Sequence, residues 1–114
     1  MTPAKPWRLT RRAEAALTGI ARWTFETFGA HQAAAYLDDL IALCHALAAG
    51  QAVSQSCQRI VSPDLPEALR LARSGQHFVI FVETAEQVII TDFLHVRMDL
   101  PRFLSASDPT GDPD

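Results

Sequence analysis

An α+β domain is what this sequence predicts: a short N-terminal strand, an antiparallel helix hairpin, and a small antiparallel sheet under it, in the order β-α-α-β-β-β. Three observations carry that prediction. The stretch His77 to His95, HFVIFVETAEQVIITDFLH, holds two β-branched and aromatic runs around the polar break Glu83-Thr84-Ala85-Glu86-Gln87. Each run is too short for an ordinary helix, so the pair reads as a β-hairpin closed by the polar break. Upstream, residues 11–49 repeat apolar side chains at helical spacing on both sides of Gly29. Finally, 114 residues with 48% hydrophobic and 20% charged side chains make one domain that can bury a core without staples.

Taken in order, residues 1–5 are expected to fray, and Pro6-Trp7-Arg8-Leu9 reads as a short strand, with Thr10 as N-cap of the first helix. That helix spans about Arg11 to Phe28, with Ala13, Leu17, Ile20, Ala21, Thr24 and Phe28 on its apolar stripe and Gly29 as its stop. Arg8, Arg11 and Arg12 cluster at its start, the unfavourable end of the helix dipole for cations. The second helix, about Ala30 to Ala49, carries two stripes. One is Ala33, Leu37, Ile41, Cys44 and Ala48; the other is Tyr36, Leu40, Leu43 and Leu47. One stripe can face the first helix and the other the sheet. Residues 51–66 lose periodicity and read as a connecting loop with a short extended piece at Arg59-Ile60-Val61. Ala68 to Arg73 alternates as a strand and turns at Ser74-Gly75 into the hairpin. There, Phe78, Ile80 and Val82 share one face and His77, Val79, Phe81 and Glu83 the other, while Val88, Ile90 and Leu94 oppose Ile89, Thr91, Phe93 and His95. Both faces are apolar, so both need covering, by the rest of the chain or by a partner. Residues 1–104 form the single domain; 105–114, SASDPTGDPD, read as a disordered acidic tail.

Composition also excludes. The net charge of −3 resides in the tail's three aspartates, and the neutral body argues against direct sequence-specific nucleic-acid binding. No run approaches the length of a membrane span, and no apolar run follows the basic N-terminal residues as in a signal peptide. Cys44 and Cys57 read as reduced thiols of a cytoplasmic protein rather than a bridge. With no CxxC and no His/Cys pair at zinc spacing, neither a metal nor a cofactor is expected.

Several local patterns fall in a telling order: Arg8-Leu9-Thr10-x-x-Ala13-Glu14, then Ala33-x-x-Tyr36-Leu37-x-x-Leu40, then Leu69-Arg70 with Gly75 soon after, the HFVIFV strand, and the ending Leu94-His95-x-Arg97-x-Asp99. Over roughly residues 6–104 this resembles the RelE/ParE superfamily of bacterial toxins, and the ParE branch most closely. The sequence departs from many relatives in having Ala49-Gly50-Gln51 where they place a proline and glycine, and Phe81 where they often carry tyrosine. RelE-type relatives cut messenger RNA on the ribosome, which needs a general base, a general acid and cations for the phosphate. Here Lys5 is the only lysine and Tyr36, inside a helix, the only tyrosine. The resemblance therefore implies the non-catalytic branch: a type II toxin that binds DNA gyrase, with a ribosome-dependent endoribonuclease or an inactive relative serving as a binding module as alternatives.

The same resemblance points to Arg70, His95, Arg97 and Asp99 as target-facing, with Arg102 and Phe103 beside them. Arg97 and Asp99 read equally well as an ion pair closing the sheet end, and His95 as a hydrogen-bonded strand residue. It also implies a ParD-like antitoxin that folds on binding. Arg8, Arg11, Arg12, Trp23, Phe28, Phe78 and Ile80 are the expected antitoxin contacts, since aromatic and sheet-face residues here exceed what one hairpin can hide. A homodimer burying the same surface is the competing explanation.

Overall fold

The structure, a computed structural model, describes residues 4–105. Its elements are β1 (Trp7–Leu9), α1 (Arg11–Phe28), α2 (Ala30–Ala48), β2 (Gln55–Ser56), α3 (Cys57–Ile60), β3 (Leu69–Ser74), β4 (His77–Glu83), β5 (Val88–His95) and α4 (Leu100–Ser105). The expected β-α-α-β-β-β order is present, with β2, α3 and α4 added to it. Lys5, expected to fray, is tied down: its N–H donates to the Ala48 carbonyl at 3.0 Å and its Nζ pairs with Glu83 at 2.7 Å. The acidic stretch from residue 106 lies outside the described residues.

Helix boundaries obey the local chemistry. Thr10 caps α1, its Oγ1 accepting from the Ala13 N–H at 3.1 Å. At Gly29, φ is +94°, a left-handed conformation that side chains disfavour, and the chain turns straight into α2 with no intervening loop.

One five-stranded sheet runs β1-β5-β4-β3-β2. Strands β2 to β5 pair antiparallel, but β1 lies parallel to β5. The sheet is thus mixed rather than wholly antiparallel; a three-residue strand carries too little pattern for its pairing direction to be read from the sequence. At the far edge β2 meets β3 only at Arg70 and Leu71. The extended piece expected at Arg59-Ile60-Val61 is instead α3, with the extended residues just before it at Gln55–Ser56.

Each sheet face has its own core. The helix hairpin covers Val79, Phe81, Val88, Ile90 and Phe93 with Ala13, Ile20, Leu40, Cys44 and Leu47. On the other face, Leu69, Leu71, Ile80, Val82 and Leu94 are covered by Cys57, Leu65 and Leu104 from the 51–66 segment and α4. This corrects two expectations at once. Ile80, expected as an antitoxin contact, is 0% exposed and Phe78 is packed against the same cluster, so the chain itself covers its second face, one of the two coverings expected, and Ile80 lies beneath the surface. Conversely Phe28, placed on the apolar stripe of α1, is 55% exposed.

A bulge in β5 explains a further difference. Ile80 pairs with Asp92 but Phe81 with Ile90, leaving Thr91 as the extra residue. Strict alternation, which grouped Leu94 with Val88 and Ile90, therefore fails past Thr91: Phe93 joins the helix-side core and Leu94 the opposite one. The start of α1 secures the irregularity. Thr10 Oγ1 donates to the Thr91 carbonyl at 3.2 Å, and Arg12 Nε lies 3.4 Å from Asp92 Oδ2. The other Asp92 oxygen accepts from the Phe93 N–H at 2.8 Å. Burial raises the Asp92 pKa, against the opposing pull of that N–H and of Arg12.

Candidate functional site

Where the C-terminal half of α1 passes over the ends of β4 and β5, the hairpin does not close on the sheet. An open groove of about 630 Å³ remains. Its α1 wall is Ala16, Gly19, Ile20, Trp23, Thr24 and Phe28; α2 gives Gln32 and Tyr36; the floor is Gln76, His77, Phe93, His95 and Met98. Among the described residues, no Lys, Arg, Asp or Glu lines it. Glycine inside a helix costs about 1 kcal/mol relative to alanine, yet a Cβ at Gly19 would meet nothing within 4 Å. Its absence widens the groove without any packing need within the chain. Trp23 and Phe28 stand edge to face, ring centroids 5.8 Å apart, and are 58% and 55% exposed. Holding two aromatic rings in water is unfavourable unless something covers them.

The floor is polar at one spot. Tyr36 Oη sits 2.6 Å from His77 Nδ1, accepts from the Gln76 N–H at 3.0 Å, and lies 3.4 Å from the Ser74 carbonyl. The short contact is the better hydrogen bond, which assigns the phenol as donor and His77 Nδ1 as acceptor. His77 is pushed down to about 4, by burial first and by neighbouring His95 second, so it is neutral at physiological pH and accepts at Nδ1. His95 is edge-on to it at 5.2 Å between centroids and accepts the Arg97 N–H at Nδ1, 3.1 Å away. Both rings therefore carry their remaining proton on Nε2.

The expected target-facing residues separate into groups. Arg70 sits opposite Phe81 while His95 sits opposite His77, about 13 Å further along the strand. Arg70 is engaged elsewhere, donating to Ser54 Oγ at 2.8 Å and to the Ser54 carbonyl at 3.0 Å. Arg97, Asp99, Arg102 and Phe103 are exposed together on the segment leading from β5 into α4. His95 belongs to the groove. Of the expected antitoxin contacts, Trp23 and Phe28 line the groove, whereas Arg8, Arg11 and Arg12 lie at the other end of α1, about 18 Å from Trp23.

Sequence reasoning missed Tyr36, His77 and Gly19 as members of the site. The signal for Tyr36 was present, as the one polar member of its helical stripe, but its partner His77 is 41 residues away and no spacing rule joins them. Gly19 sits inside a helical pattern with no turn or stop beside it, the kind of glycine that needs another explanation.

Residues 7–100 match the family described as ParE toxin of type II toxin-antitoxin system, parDE. Among individual relatives, Toxin ParE of Escherichia coli is 38% identical over 93 residues, covering 81% of this chain and 85% of the relative. Among solved structures, a chain described as the chromosomal ParDE TA system from P. aeruginosa matches with a TM-score of 0.63 at 16% identity, over 81% of this chain and 96% of that one. Identity that low speaks for the fold alone.

Proposed function

The chain belongs to the ParE toxin family of type II toxin–antitoxin systems, and from that premise we propose that it arrests growth by binding DNA gyrase without catalysis and is neutralised by a ParD-like antitoxin seated in the groove. The observation that carries the antitoxin half is the groove itself: apolar, uncharged, and rimmed by two exposed aromatic rings next to a helix glycine that the chain's own packing does not use. An amphipathic segment that folds on binding is the occupant such a surface suits. The exposed Arg97, Asp99, Arg102 and Phe103 segment is the proposed gyrase-facing surface, on the opposite side of His95 in sequence from the sheet and outside the groove lining.

Arg70, held by Ser54, stands about 13 Å along the strands from His95, so the two do not share one acid–base site, and this separation supports the non-catalytic reading. Expression alone is expected to stop growth with filamentation, and purified protein to inhibit DNA supercoiling. Coexpression of the reading frame adjacent to the gene should restore growth. Unaffected gyrase at high micromolar protein would overturn the gyrase assignment, and new messenger cuts on translating ribosomes would replace it with the endoribonuclease.

A further inference from the structure

We propose that the Nε2–H groups of His77 and His95 are a receptor for one carboxylate carried on the otherwise apolar face of the segment that docks in the groove. This rests on reading the groove as the antitoxin's seat and adds the chemistry by which the seat selects its occupant.

Tyr36 Oη donates to His77 Nδ1 and the Arg97 N–H donates to His95 Nδ1, so both rings are held with the proton on Nε2. No described residue accepts either of those protons. The rings are adjacent, on paired positions of β4 and β5, and both line the groove. Once an apolar segment covers them, water is excluded and two N–H donors lose their solvent partners. A buried donor left unsatisfied keeps its full desolvation penalty, so the segment has to bring acceptors. A carboxylate brings two oxygens and matches two donors.

Charge points the same way. Around the two rings, α1 contributes Ala16, Gly19, Ile20, Trp23 and Thr24, none titratable, and α2 contributes Gln32 and Tyr36. The β3–β4 turn contributes Gln76, beside Arg73, whose Nε donates to the Gly75 carbonyl at 2.8 Å; the chain after β5 contributes the Arg97 N–H and Met98. None of them is an acid. Among the described residues lining the groove, the two imidazoles are therefore the only basic side chains. A carboxylate placed on them favours an imidazolium, and a proton enters from solvent to one of the rings as the complex forms.

Binding of the product of the adjacent reading frame to this chain, measured calorimetrically at pH 7.0 in phosphate and in Tris, reads that proton directly. We expect uptake of roughly half to one proton per complex, and tighter binding at pH 6.5 than at pH 8. His95→Gln keeps a donor but cannot accept a proton, so it retains most of the affinity, and the uptake is lost in whichever of His95→Gln and His77→Gln removes the protonated ring. His95→Ala loses the donor as well, with at least about a tenfold weaker Kd. Circular dichroism of each variant checks folding, and His77→Gln provides the second ring's case. Tight binding with no proton uptake and no response to His95→Ala overturns the carboxylate receptor while leaving the antitoxin reading intact. Failure of the wild-type chain to bind overturns both.

Discussion

Tyr36 and His77 show how much one hydroxyl can organise. The phenol joins α2 to the turn between β3 and β4, and Gly75 makes room for it: φ there is +58°, and a Cβ would stand 2.7 Å from Tyr36 Cε1. Gly75→Ala is expected to cost about 1–3 kcal/mol, from backbone strain plus displacement of the ring. Tyr36→Phe should cost about 1 kcal/mol, the ordinary worth of the lost bonds; urea midpoints of both variants check the order. His77 supplies a pH dependence with a definite sign. Its folded pKa of about 4 lies below the ordinary 6.5, so between those values the unfolded chain holds a proton that the folded chain does not. Stability is full above pH 6.5 and falls as pH drops toward 4, where it levels off. Asp92, raised by burial, works in the opposite sense at acidic pH. The wild-type minus His77→Gln difference in melting temperature therefore isolates the histidine: it should change between pH 4 and 6.5 and become independent of pH above 7. Cys44 and Cys57 are pushed up by burial to about 12 and about 11, so both should resist thiol reagents until the chain unfolds.

The elements that matter most are the small ones. α4 is only six residues, yet Leu104 is 0% exposed and, with Cys57 and Leu65, covers the second sheet face. Leu104→Ala should destabilise by about 2–4 kcal/mol, measured by chemical denaturation. A negligible effect would mean that α4 is not part of the folded core. The two long helices and the hairpin were legible because their periods extend over many residues. By contrast, α3 and α4 have four and six residues, fewer than two turns each and too few for a period to register, so the 51–66 segment that contains α3 read as a loop. The bulge at Thr91 escaped for another reason: VIITDFL reads as continuous strand, and only pairing with β4 reveals which residue is extra.

At the scale of the whole molecule, the two sheet faces are treated differently. One is sealed by the chain itself; the other is roofed by α1 and α2 but left open where Trp23 and Phe28 stand over the groove. Since both rings are more than half exposed, Trp23→Ser with Phe28→Ser should change folding stability by no more than about 1 kcal/mol. The same double variant should weaken antitoxin binding at least tenfold, because truncated aromatic anchors at an interface commonly cost about 2 kcal/mol or more. Equal losses of stability and of binding would instead make these rings part of the fold.

Sequence alone determined the class of fold, the boundaries of the long elements, the reduced cysteines and the family resemblance that the residue 7–100 match bears out. All of these are written in local periods and short ordered motifs. What covers each apolar face was decided only in three dimensions, and with it the burial of Ile80, the separation of Arg70 from His95, and the meeting of Tyr36, His77 and His95. Periodicity records which side of an element avoids water. It does not record which distant segment will lie against that side, and the groove exists only where none does.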